Sequence, residues 1–110
     1  MQMAINQWDL WFAEFPYEDG IGSKDRPVIV LNVEPLQVLS IKVTSKGIRD
    51  EFDVPITKWR EAGLKAESVA RVSKAIYLSQ GDFRRKIGNI HNDDRQVIMN
   101  KYVEYVSRDL

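Results

Sequence analysis

No cysteine occurs in the 110-residue chain, and histidine occurs once, at His91. These counts exclude disulfides, thiol nucleophiles and thiolate metal sites, and with them any acid–base mechanism that needs two imidazoles. Carboxylates alone can hold Mg or Ca, but no motif spaces them for it, so neither a metal nor a cofactor is expected. An apolar run of bilayer length is also missing, and no membrane partner is expected. The opening "MQMAINQWDL" lacks the basic segment and apolar stretch of a signal peptide, which makes the cytoplasm the expected location. Net charge is zero, which argues against a protein that coats nucleic acid. Whatever chemistry exists must use Arg, Lys, Ser, Thr, Tyr, Asp or Glu.

What is present fits one domain spanning residues 1–110. An apolar share of 44% against 29% charged is enough to bury a core without metal or disulfide help. The charges are segregated along the chain. Residues 1–21 hold four acids and no base, 22–50 hold five bases and three acids, and 68–91 hold five bases against Asp82 alone. Solvated scatter accounts for such blocks by itself, but folding can also bring them together as a basic patch.

Local patterns predict mostly strands. "WDLWFAEF" (8–15) is aromatic, apolar on both alternating faces and closed by Pro16, as expected of a strand covered on both sides or at an interface. "PYEDGIGSKDR" (16–26) has the composition of a long loop. "PVIVLNV" and "LQVLSIKV" form an expected antiparallel hairpin, with Pro27 at the strand's first residue because it lacks an N–H. "EFDVPI" (51–56) is a weaker edge strand, and "TKWREAGL" (57–64) a helical turn with Thr57 as N-cap and Gly63 as terminator. "SVARVSKAIYLS" (68–79) suits one bent strand or two short ones. "KIGNIH" (86–91) suits a short one in which Gly88 marks a bulge or a close approach. From Asn92 as N-cap, Ile98, Met99, Tyr102, Val103, Tyr105 and Val106 make a helical stripe. About six short strands and one amphipathic helix imply a mainly β fold, a small curled barrel with the C-terminal helix packed on it.

Hydroxyls and cations recur together at strand ends: Ser23, Lys24 and Arg26; Thr44, Ser45 and Lys46; Arg71, Ser73 and Lys74. Arginine offers a planar fork to phosphate oxygens, lysine a point charge, and Ser or Thr a short hydrogen bond. These are the ingredients of a phosphodiester site, although each cluster also fits ordinary strand-end polarity. His91 is expected to cap or lie at the surface. Trp8, Trp11 and Trp59 are expected in a core or subunit interface. The two-sided first strand and the wide helix stripe lead us to expect a symmetric homodimer.

Taken together, "WDLWFAEFPYEDG", "RPVIVLNV", "IKVTSK", "AGLKAESVARVSKAIYLSQ" and "RKIGNIHNDD", in this order, resemble the MazF/PemK/Kid family of toxins from type II toxin–antitoxin systems. The resemblance covers nearly the whole chain. It implies an SH3-like β-barrel of the CcdB/MazF kind and a dimeric, metal-independent endoribonuclease that cuts single-stranded RNA at short sequences. It further implies catalytic roles for Arg26, Thr44 and Arg71, with Lys24, Ser45, Lys46, Ser73 and Lys74 binding substrate, and a loop over 17–25 that closes on RNA. An acidic antitoxin protein is implied as partner, with DNA bound only through that antitoxin. The chain departs from the pattern twice. Trp8-Asp9 stands where many members have Gly-Asp, and Ser73 stands where some plasmid toxins have an aspartate. Two alternatives remain on the same barrel: a gyrase-targeting protein that acts through its C-terminal helix, and a catalytically silent protein-binding member.

Overall fold

The computed structural model describes residues 4–110. Its strands are β1 (Asp9–Pro16), β2 (Ser23–Val33), β3 (Val38–Thr44), β4 (Asp53–Pro55), β5 (Val69–Leu78) and β6 (Phe83–Asn89), with helices α1 (Trp59–Ala62) and α2 (Asn92–Ser107). All pairings are antiparallel, in the order β4-β5-β3-β2-β1-β6. The mainly β architecture with a C-terminal helix is therefore as expected, with a barrel-like sheet. The strand pairing itself does not run from β6 back to β4.

Period-two alternation sorts the strand residues into two clusters. Leu10, Ile29, Ile41, Val43, Val54 and Val72 meet Ile90 and Ile98 on the inner face. Trp11, Ala13, Phe15, Val28, Val30, Val38 and Phe83 pack together on the other. On β2 the run from Val28 to Leu31 supplies the two faces in turn, which is why it is continuously apolar. Removing each such side chain from water contributes about 1.5–3 kcal/mol. The outer cluster covers only one end of its face. Beyond Val28 and Ser40 the same face carries Arg26, Lys42, Thr44 and Arg71, and there it turns polar.

Four details depart from expectation, the first being that β6 runs over Phe83–Asn89 and not over 86–91. β2 begins at Ser23, so Pro27 lies inside the strand. It is tolerated because Ser23–Pro27 pairs only with β1, while pairing with β3 starts at Val28 opposite Lys42. Pro27 thus needs no donor on that side. The connecting loop shortens to residues 17–22. Lys58, not Thr57, is the N-cap of α1, and it makes no side-chain cap. Asp94 from α2 serves instead, accepting from the Thr57 N–H, the Thr57 hydroxyl at 2.6 Å and the Lys58 N–H at 2.9 Å. The α2 cap is His91, one residue before the expected Asn92, with Nδ1 accepting from the Asp93 N–H at 3.0 Å.

Other expectations hold. β5 is one strand, bent where its register with β3 shifts between Ser40 and Lys42. Gly63 ends α1 at φ +101°. Gly88 is a site of close approach: a Cβ there would stand 2.2 Å from the Ala62 carbonyl oxygen, so α1 lies against β6. The α2 stripe divides. Ile98 is buried, Met99, Tyr102 and Tyr105 pack on the core, and Val97, Val103 and Val106 face outward.

Candidate active site

Extending the β2–β3 register past Val28 and Lys42 by two residues brings Arg26 abreast of Thr44. Both side chains line a cavity of about 210 Å³ together with Tyr17, Glu18, Lys42, Lys46, Arg49 and Arg71. Five cations therefore surround one carboxylate, a balance suited to an anion. β1 holds Arg26 in place through the pairing of Ala13 with Arg26. The anchor is thus the β1–β2 hairpin, not a strand start at Pro27.

The bonding within the cavity is uneven. Arg26 Nε is a buried donor without a hydrogen-bond partner, and Arg26 joins no ion pair among the described residues. Buried donors are ordinarily satisfied, so the unpartnered Nε sets Arg26 apart from Arg71. Thr44 Oγ1 accepts the Lys46 N–H at 3.2 Å, which leaves its own proton available for donation. Arg71, in contrast, is 3% exposed and committed. Its Nη1 pairs with Asp53, its direct neighbour on β4, and its Nη2 donates to the Gly47 carbonyl at 3.1 Å. Asp53 also accepts the Arg49 N–H at 2.6 Å, tying the 47–50 loop to the same pair.

Above the cavity Glu18 meets Arg49 at 2.9 Å and Lys74 at 3.7 Å. The Arg49 hydrogen bond, followed by the Lys74 charge, holds its carboxyl below the usual range. Lys42 shifts the opposite way for a cation. Burial, then the Arg26 charge, lowers its ammonium pKa, and Glu18 offsets this only in part.

Of the residues expected in the site, Arg26, Thr44, Lys46 and Arg71 converge on this cavity. Lys24 and Ser45 line a neighbouring one of about 450 Å³, shared with Arg26, Thr44 and Lys46. Its floor includes Phe12, Pro27 and Leu64, with the Arg85 guanidinium 4.4 Å over the Phe12 ring. Ser73 and Lys74 stand at the rim, Ser73 donating to Asp50 at 3.2 Å and Lys74 facing Glu18. A third cavity of about 510 Å³, between Gly47–Ile48 and Pro55–Trp59, carries no cation and is unsuited to phosphate. Lys42, Arg49, Glu18 and Asp53 escaped the sequence reading. For Lys42 the signal was present, since alternation along "KVT" puts it on the face of Thr44.

A family model described as "PemK-like, MazF-like toxin of type II toxin-antitoxin system" matches residues 6–104. The chain belongs to this toxin family. Among solved structures it is similar to the Mycobacterium tuberculosis toxin MazF-mt6 (TM-score 0.73, 19% identity, covering 89% of this chain and 95% of that one). It is also similar to the MazE–MazF structure from Deinococcus radiodurans (0.74, 15%, 96% and 98%). A third similar structure is an endoribonuclease in complex with its cognate antitoxin from a mycobacterial species (0.76, 9%, 94% and 95%). At these identities the likeness concerns the fold. A search of curated protein sequences gave no significant match.

The fold places one departure from the family pattern in context. Trp8 has φ +71°, the left-handed conformation that glycine adopts without strain. The position that holds glycine in many members of the family is therefore one where this chain accepts strain. Trp8 is kept there by its N–H to the Val30 carbonyl at 2.7 Å and by the Ile90 N–H to its own carbonyl at 2.8 Å.

Proposed function

We propose that this toxin is an endoribonuclease that cuts single-stranded RNA at a short specific sequence, without a metal, by attack of the RNA's own 2′-hydroxyl. The observation that carries the reading is that Arg26, whose buried Nε has no partner, and Thr44, whose hydroxyl proton is free to donate, line one cavity of five cations. The 2′-oxygen is already positioned next to the scissile phosphorus, so the attack is intramolecular. As it bonds, charge grows on the non-bridging oxygens, and Arg26 and Thr44 supply the donors for that charge. Arg71, its charge compensated by Asp53, positions the cavity wall beside Lys42, and Lys46 with Lys24, Ser45, Ser73 and Lys74 holds flanking phosphates. The products are a cyclic phosphate and a free 5′-hydroxyl.

The solved relative in complex with its antitoxin supports an antitoxin partner here as well. Such a partner would be an acidic segment covering the cationic cavity, with any DNA contact made through it. The outward valines of α2 are consistent with a homodimer. None of the described helices is long and apolar enough to cross a membrane. The proposed RNA substrate supports a cytoplasmic activity. Incubating the purified protein with a mixed RNA pool and mapping new 5′ ends tests the reading. It predicts recurrent cuts with 5′-hydroxyl termini, whereas an intact pool, or inhibition of gyrase in its place, would overturn it.

A further inference from the structure

A reaction of this kind needs an acceptor for the 2′-hydroxyl proton, and the cavity offers few. Arg26, Arg49 and Arg71 do not lose protons in proteins. His91 is occupied as the α2 cap, Asp53 is committed to Arg71, and Glu18 to Arg49 and Lys74. Of the other proton carriers lining the cavity, Tyr17 and Lys46 are exposed and lie outside the strands, whereas Lys42 is half-buried within the sheet, in the row formed by Asp53, Arg71, Lys42 and Val28 across four strands. Two cations directly opposite each other, Arg71 and Lys42, repel. Asp53 answers Arg71, but Lys42 has no carboxylate within ion-pair distance among the described residues.

We propose that Lys42 is the general base of the cleavage, a role that rests on the ribonuclease reading above. Its neutral amine takes the proton as the 2′-O–H bond breaks and the 2′-oxygen bonds to phosphorus. The phosphorus–5′-oxygen bond then breaks, the leaving oxygen takes a proton from water, and the resulting hydroxide removes the proton from the Lys42 ammonium. Base and lysine are restored, and no oxidant or metal enters. The groups facing Lys42 set its readiness. Arg26 from β2, Arg71 from β5 and Arg49 from the loop after β3 disfavour the ammonium, and Lys46 from the same loop lines the cavity as well. Glu18 favours the ammonium, and Tyr17 lines the cavity beside Glu18. Burial is the largest of these effects, and together they lower the ammonium pKa from the ordinary lysine value.

The test compares wild type with Lys42→Arg and Lys42→Ala on a single-stranded RNA that the wild type cuts. Lys42→Arg keeps the charge but has no proton-accepting form. It should bind RNA within a few-fold of wild type and cleave roughly a hundredfold or more slowly. The wild-type kcat/KM should rise with pH to a plateau set by the free enzyme's Lys42, and both variants should lose that limb. Added ethylamine should partly restore Lys42→Ala. In the wild-type protein itself, which needs no variant to fold, NMR titration of the lysine Cε signals should show Lys42 losing its proton before the other lysines. Lys42→Arg cutting within about threefold of wild type with an unchanged pH profile, or Lys42 titrating with the other lysines, overturns the assignment alone. Wild-type protein that leaves all RNA intact overturns the ribonuclease reading and the base with it.

Discussion

Asp53 and Arg71 stand directly opposite each other on β4 and β5, and their ion pair is closed off from water. One Asp53 oxygen serves Arg71 together with the Arg49 N–H, while the other, also buried, has no partner. Such a pair adds little net stability against an apolar substitute, but breaking it strands a charge.

The pair therefore gives a first prediction. Asp53→Asn should lower unfolding stability by about 3–5 kcal/mol, because Arg71 remains buried and uncompensated. Replacing both partners at once, as Asp53→Asn with Arg71→Met, should recover much of that loss. Urea unfolding of the single and double variants checks it. A double variant as unstable as the single one would mean that the pair's packing matters and its charge does not.

A second prediction concerns the seam between α1 and β6. Gly88→Ala would press a methyl group into the Ala62 backbone, and neither side is a flexible side chain that can yield. The expected cost is about 1–3 kcal/mol, typical of overpacking. Gly81→Ala is the control, since a Cβ there meets only Ser79 Oγ at 3.8 Å. Thermal melts should show a loss for the first and a near-neutral second.

Much of this was legible in the sequence because it follows from local chemistry. Alternating and continuous apolar runs gave the strands, Gly63 the end of α1, and the crowded "KIGN" the close approach of Gly88. What was not legible depends on register. Nothing local marks Asp53, in a three-residue edge strand, as the partner of Arg71 eighteen residues later. Pro27 appeared to open its strand, since the missing pairing with β3 that lets it lie inside is a tertiary fact. Arg26 and Thr44 are marked in the sequence by their place near strand ends, whereas Lys42, two residues further into β3, carries no such local mark.

Glu18 yields a third prediction, with a definite pH sign. Its folded pKa is depressed below 4.5 by Arg49 and then Lys74, so the tether is present above the ordinary carboxylate range and is lost as pH falls through the lowered value. At neutral pH the tether occupies Arg49 of the cavity and Lys74, which the proposed mechanism assigns to RNA phosphates. Glu18→Gln should therefore tighten binding of a non-cleavable RNA analogue several-fold at low salt. The gain should shrink toward 1 M salt, where screening is short-ranged. Fluorescence anisotropy across a salt series measures it. Unchanged affinity at every salt concentration would show that the carboxylate does not compete with RNA.

The last prediction concerns Arg26 and Thr44 directly. Arg26 holds an unpartnered donor on a strand fixed by β1, and in the proposed mechanism its contribution falls mainly on the transition state, where one such donor is typically worth about 3–4 kcal/mol. Arg26→Ala should slow cleavage roughly a hundredfold or more with little change in stability, since it breaks no ion pair. Thr44→Val keeps the shape, removes the hydroxyl and should also slow the reaction. The two variants should differ in pH dependence. Arg26 helps to lower the Lys42 pKa, so its removal should move the rising limb of the rate profile toward higher pH. Thr44 carries no charge, and its removal should leave the limb in place. Cleavage by the wild type should survive EDTA, and an all-deoxy strand should bind weakly and stay intact because it lacks the attacking group. Full activity of Arg26→Ala, or cutting of the all-deoxy strand, would remove the basis for an Arg26-assisted attack by the 2′-hydroxyl.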